Sequence, residues 1–125
     1  MTEQLLLVVV RVRWQDGVLV LAVSGELDVL TAQRLDGQLL ALSGAGHHCV
    51  VLDVAGLGFC DASGLGVLVR AQIRAQARGG WLRLVAAVPR VRRVLAITRL
   101  TEVLPVFDSV AHALDQDLAP ASAPV

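Results

Sequence analysis

The side chains most able to do chemistry gather in two short stretches, Gly25-Glu26-Leu27-Asp28 and Asp61-Ala62-Ser63-Gly64-Leu65-Gly66. Asp28 and Asp61 each stand before a segment with helical apolar spacing. The Asp28 carboxylate can accept a backbone N–H one turn on, while Asp61 reads as an Asp in the turn before a helix. Ser63 carries the one hydroxyl of the second stretch and reads by position as a helix-capping serine, its hydroxyl accepting an N–H of the first turn. An acyl-transfer role does not fit. Asp61-Ala62-Ser63-Gly64-Leu65 is not a Gly-x-Ser-x-Gly elbow, and no histidine stands where a general base would be needed. Gly64-Leu65-Gly66 lacks the third glycine of a dinucleotide-binding turn. Asp53 closes an apolar run, as an aspartyl-phosphate acceptor does, but that chemistry also uses a lysine. The chain has no lysine at all, which removes P-loop and Schiff-base chemistry too. Cys49 and Cys60 form no CxxC pair. His47 and His48 are adjacent, and His112 stands alone. The expectation is therefore no enzyme, no cofactor and no metal site.

Composition narrows the partners. The 125 residues suit one domain, and 55% hydrophobic content suffices for a buried core. Eleven acidic and eleven basic residues cancel, so the chain has no general attraction for nucleic acid or anionic lipid. Two Trp, two Phe and no Tyr leave few aromatics for base stacking. Runs such as Leu5 to Val10 are too short to span a bilayer. Met1-Thr2-Glu3-Gln4 lacks the positive start of a signal peptide. A cytoplasmic location follows as an expectation, with both thiols packed as small apolar groups.

The elements that must position these residues read as follows. Leu5 to Trp14 is a strand, Asp16-Gly17 a hairpin turn and Val18 to Ser24 a second strand. Gly25-Glu26-Leu27-Asp28 breaks the strand pattern, and Asp28 caps a helix from Val29 to Ser43 with Ala32, Leu35, Leu39 and Leu42 on one face. Cys49 to Val54 suits a strand buried on both faces, followed by a loop from Ala55 to Asp61. A helix from Ala62 or Ser63 to Arg78 has Leu65, Leu68, Val69 and Ile73 as its core stripe. Arg70, Arg74 and Arg78, joined by Arg90, Arg92 and Arg93, form a basic stripe read as a solvated face in preference to a partner patch. Trp81 to Val85 is a strand. Pro89 opens a helix carrying Val91, Val94, Leu95 and Thr98. Val103 to Phe107 is a short strand, and Asp108 caps a last helix through Leu114. The order β-β-α-β-α-β-α-β-α predicts an α/β fold: a mixed, mostly parallel sheet of about five strands with about four helices.

With these elements in place, the chain resembles the STAS domain family, of the anti-sigma-factor-antagonist type. The first likeness is Gly25-Glu26-Leu27-Asp28 followed by Thr31-Ala32. The second, more specific, is Val51-Leu52-Asp53-Val54-Ala55-Gly56-Leu57 with Phe59-Cys60-Asp61-Ala62-Ser63-Gly64-Leu65-Gly66-Val67-Leu68. Val91-Arg92-Arg93-Val94-Leu95 and Leu104-Pro105-Val106-Phe107-Asp108-Ser109 resemble the family's C-terminal half. The resemblance covers about residues 5 to 115 and implies a STAS domain over 1–118 with a tail over 119–125.

The resemblance implies a bacterial signalling protein that docks an anti-sigma factor with serine kinase activity, neither binding nucleic acid directly nor inserting into a membrane. A STAS subunit of another assembly, such as the partner of a lipid-transport ABC ATPase or a sensory scaffold, is the alternative. Carried onto this sequence, the docking residues are Glu26, Asp28, Asp61, Ala62, Ser63, Gly64 and Gly66. The family's phosphoacceptor directly follows the Asp, and here that residue is Ala62. Two hypotheses follow. Either Ala62 makes the protein permanently competent to bind, or the acceptor moves to Ser63, whose side chain is rotated by about 100° on a helix.

Overall fold

The computed structural model describes residues 8–15 and 17–115. The expected strand start at Leu5, the turn residue Asp16 and the tail from Ala119 lie outside the described residues. Ten elements follow in order: β1 (Val8–Gln15), β2 (Val18–Leu27), α1 (Val29–Gly44), β3 (Cys49–Cys60), α2 (Ala62–Ala77), β4 (Trp81–Val85), α3 (Pro89–Ile97), a 3-10 turn (Leu100–Glu102), β5 (Val106–Phe107) and α4 (Val110–Asp115). The five-stranded sheet keeps chain order. β1 pairs antiparallel with β2, and every later pairing is parallel. This is the α/β architecture expected from the sequence. Gly17, at φ 81°, turns the hairpin so that Gln15 meets Val18.

Alternation along the strands sorts the two cores. Leu19, Leu21, Val50, Leu52, Leu82 and Leu84 pack under α1, α2 and α3 with Leu35, Leu68 and Leu95. The opposite face is smaller: Val18, Val20, Val51 and Val85 meet Ala113 of α4. Val50, Val51 and Leu52 are all buried, because β3 lies in the middle of the sheet with layers on both faces.

Several boundaries differ from the sequence reading. Residues 25–27 and 55–60, read as loops, are strand. They pair with each other in the order Ser24↔Gly56, Gly25↔Leu57, Glu26↔Phe59 and Leu27↔Cys60. β3 carries one extra residue between Asp53 and Gly56 and another between Leu57 and Phe59, which are bulges that bend and twist a strand. At the first, Asp53 Oδ1 accepts the Ala55 N–H at 3.0 Å, and a Cβ on Gly56 would sit 2.7 Å from Ser24 Cβ. Glycine is needed there for strand approach, so its presence does not mark a loop.

Ile73 is not in the α2 stripe. It is 58% exposed, and Gly64, Leu65, Val67, Leu68, Ala71 and Gln72 are buried instead. Five residues beyond Leu68, Ile73 lies about 500° further around the helix, well off the buried face. Thr98 caps the C-terminal end of α3 and is exposed. β5 is only two residues long, because residues 103–105, which follow a 3-10 turn at 100–102, are turn, bend and irregular chain and not strand. Ser109, not Asp108, starts α4: its Oγ accepts the His112 N–H at 3.1 Å, while Asp108 pairs with Arg92 at 2.9 Å.

Candidate docking site

The site is built where β2 and β3 end and two helices begin. Asp28 caps α1, its Oδ1 accepting the Leu30 and Thr31 N–H groups at 3.0 and 3.1 Å. The reciprocal bond runs from the Asp28 N–H to Thr31 Oγ1 at 2.8 Å, completing a capping box, and the Thr31 hydroxyl donates to the Glu26 carbonyl at 2.6 Å. The Thr31 N–H favours the ionised carboxylate most; desolvation opposes it, and the Thr31 hydroxyl and the Leu30 N–H add to it. The Asp28 carboxyl is therefore held below its ordinary value.

Asp61 does the same for α2, with Oδ1 accepting from Ser63 N at 2.9 Å and Gly64 N at 3.1 Å. Asp61, not Ser63, is thus the cap, which corrects the preferred reading of Ser63. Among the described residues the Ser63 hydroxyl has no hydrogen bond. The Asp61 N–H donates to the Leu27 carbonyl at 3.0 Å. That bond ties the two stretches singled out in the sequence into one surface.

The remaining candidates divide by burial. Glu26 and Ala62 are exposed; Asp28, Asp61, Ser63 and Gly66 are partly so. Gly64 is buried, and a Cβ there would lie 2.5 Å from Leu27 Cγ. Its expected place among the docking residues is corrected: it lets α2 close onto the end of β2 and presents nothing outward. Cys60 lies beneath it, and burial, with the adjacent Asp61 charge, pushes the thiol up to about 12.

Apolar side chains complete the surface, and sequence reading missed them. Leu30 is 66% exposed, Val29 58% and Phe59 39%. All three flank the caps, Phe59 directly opposite Glu26 in register. Exposed apolar groups beside polar ones mark interaction sites. The signal available in the sequence was that Val29 and Leu30 fall outside the α1 stripe of Ala32, Leu35 and Leu39.

None of the three histidines lies beside Ser63. His47 and His48 precede β3, whose twelve residues separate them from Asp61, and His112 is on α4 across the sheet. A groove of about 360 Å³ lined by Arg13 and Asp53 opens on the face that carries α4, away from Ser63. Among the described residues no cluster of His, Cys, Asp or Glu could hold a metal ion, and no helix is long and apolar enough to cross a membrane. Of the arginine stripe, Arg70 and Arg78 are exposed and Arg74 is partly buried.

Fold and site together define a small α/β module whose exposed polar and apolar groups meet at one end of the sheet. The chain belongs to the STAS domain family, whose family model matches residues 9–113. It is 32% identical over 101 residues to an anti-sigma F factor antagonist of Paenibacillus polymyxa, covering 80% of this chain and 86% of the relative. The crystal structure of an anti-sigma factor antagonist from Mycobacterium paratuberculosis superimposes with a TM-score of 0.78 at 28% identity, over 88% of this chain and 92% of that one. The phosphorylated form of the Bacillus cell fate determinant SpoIIAA shares the fold, with a TM-score of 0.64 at 18% identity over 85% and 96% of the two chains.

Proposed function

We propose that this protein is a cytoplasmic anti-sigma factor antagonist that docks an anti-sigma factor with serine kinase activity, without catalysing a reaction itself. The docking surface is Glu26, Asp28, Asp61, Ala62, Ser63 and Gly66, with Val29, Leu30 and Phe59 as its apolar part. The observation that carries this reading is the Asp61 N–H to Leu27 carbonyl bond at 3.0 Å, which makes one surface of the two stretches. The names of the relatives support the class of partner.

Ala62 occupies the first position of α2 and is exposed, with no hydroxyl to phosphorylate. The protein is accordingly competent to bind at all times and is controlled by its own supply or its partner's. The second reading places the acceptor at Ser63, and its free hydroxyl favours it. Phosphate there would add about −1.5 to −2 charge in the docking surface.

The test uses the purified cognate kinase. Ala62→Asp weakens binding by roughly tenfold or more through a charge buried against the partner; binding equal to wild type overturns the site. After incubation with kinase and ATP, intact mass stays unchanged if Ala62 makes binding constitutive. A stoichiometric phosphate that disappears in Ser63→Ala establishes the second reading. Ala62→Ser then installs a switch absent from the wild type.

A further inference from the structure

Thr31 lies outside the docking residues, yet its hydroxyl touches both acidic residues of the first stretch. The side chain is buried, at 1% exposure. Its Oγ1 accepts the Asp28 N–H at 2.8 Å, and its one proton lies between the Glu26 carbonyl at 2.6 Å and Asp28 Oδ1 at 3.1 Å. Between these two residues the Leu27 carbonyl takes the Asp61 N–H. Three consecutive residues at the end of β2 are thus held through their backbones, two of them by one hydroxyl. What they carry is exposed. Among the described residues the Glu26 carboxylate has neither a hydrogen bond nor an ion pair, so only its backbone sets where it stands. Val29 and Leu30 open α1, and their place relative to Glu26 depends on the turn at Asp28. Further along, Ala32, Leu35 and Leu39 seat α1 in the core without help from that turn. Loss of the hydroxyl would therefore loosen residues 26–30 and leave the helix in place.

We propose that Thr31 is the positioning residue of the docking surface: its buried hydroxyl fixes Glu26 against the start of α1, so that the Glu26 carboxylate and the exposed Val29 and Leu30 meet the partner as one rigid set. This rests on the docking function proposed above and deepens it. A surface held in its bound form before contact loses less freedom on binding. A valine at 31 would keep the branched shape but leave the Glu26 carbonyl and the Asp28 N–H without their partner, and the turn would shift to find water.

The test measures binding of the full-length protein to the purified cognate kinase by calorimetry, well below the melting midpoint of each variant. The expected result is binding weakened at least about fivefold by Thr31→Val and within about twofold of wild type for Thr31→Ser, which keeps the hydroxyl. In a Glu26→Ala background the loss from Thr31→Val shrinks, because there is no carboxylate left to position. Without the partner, amide exchange in Thr31→Val speeds up at Asp28 and Leu30, while Val51 and Leu52 stay as protected as in wild type. A smaller loss for Thr31→Val, an equal loss for Thr31→Ser, or an equal loss in the Glu26→Ala background overturns the proposal. Should Thr31→Val not stay folded, Thr31→Ala removes the same hydroxyl and is read by the same limits. Ala62→Asp separates this proposal from the docking function. If Ala62→Asp fails to bind while Thr31→Val binds as wild type, the docking surface stands and the role of Thr31 falls. If Ala62→Asp binds as wild type, the docking surface itself fails, and the role of Thr31 with it.

Discussion

At Gly64 the chain has no space for a side chain: an added Cβ would meet Leu27 Cγ at 2.5 Å and Cys60 Sγ at 3.0 Å. Leu27 is fully buried and cannot swing aside without opening the core. Gly64→Ala therefore costs about 1–3 kcal/mol through overpacking, despite alanine's better helix propensity. Urea denaturation measures this, and a variant as stable as wild type would show that α2 shifts freely. Ala62, two residues earlier, is exposed and tolerates substitution without loss of stability, so its effects on partner binding can be read separately. Neighbouring positions of one turn thus divide into one that sets the helix against the sheet and one that faces out. The sequence showed two small residues and did not distinguish them, because burial at the start of a helix depends on how the helix is laid down.

Among the elements, α2 has a second task that its apolar stripe does not reveal. β5 pairs with β4 only at Leu84 and Val85, leaving the start of that β4 edge without a strand. Gln72 of α2 fills the gap. Its Oε1 accepts the Leu82 N–H at 2.7 Å, and its Nε2 donates to the carbonyls of Leu82 and Val103, each at 2.8 Å. A buried side-chain amide thus continues the ladder that a longer β5 would have made. Gln72→Leu keeps the volume but leaves the Leu82 N–H and C=O unpaired. At about 1–3 kcal/mol for each orphaned group, the loss is about 2–6 kcal/mol, measured by thermal or urea unfolding. A loss below about 1 kcal/mol would show that water reaches the β4 edge. The helix existed in the sequence as a 3.6-residue pattern ending in glycines. The burial of Gln72 could not be read there, since its partners are 10 and 31 residues away.

At the scale of the whole molecule, two groups contribute pH dependence at opposite ends of the range. The folded Asp28 carboxyl titrates below the ordinary 3.8, chiefly through the Thr31 N–H. Its contribution is present above that value and is lost as pH falls through the folded one. The Cys60 thiol is raised by burial to about 12. The unfolded chain therefore ionises first, from about pH 8.5, and stability falls as pH rises from there toward 12. Denaturant titrations at a series of pH values should show a plateau between these limits. Cys60→Ala should flatten the alkaline slope, and an unchanged slope would place its cause elsewhere. Asp28→Asn should flatten part of the acid slope in the same way.

The sequence by itself determined the order of elements, the central place of β3, the cap at Asp28 and the family. Each of these is written in local patterns: apolar runs, carboxylates before helical periods, and glycines after them. It also contained both halves of the docking surface, though not their union. Gly25, Gly56 and Gly58 read as loop residues, because a glycine that permits close strand approach looks the same in sequence as one that permits a turn. Only the tertiary structure extended β2 and β3 through them, bonded Leu27 to Asp61, and turned Leu30, Val29 and Phe59 outward. These features depend on which chain segments lie side by side. Residues 27 and 61 become neighbours only because the parallel crossover through α1 brings two strand ends and two helix starts to the same edge of the sheet.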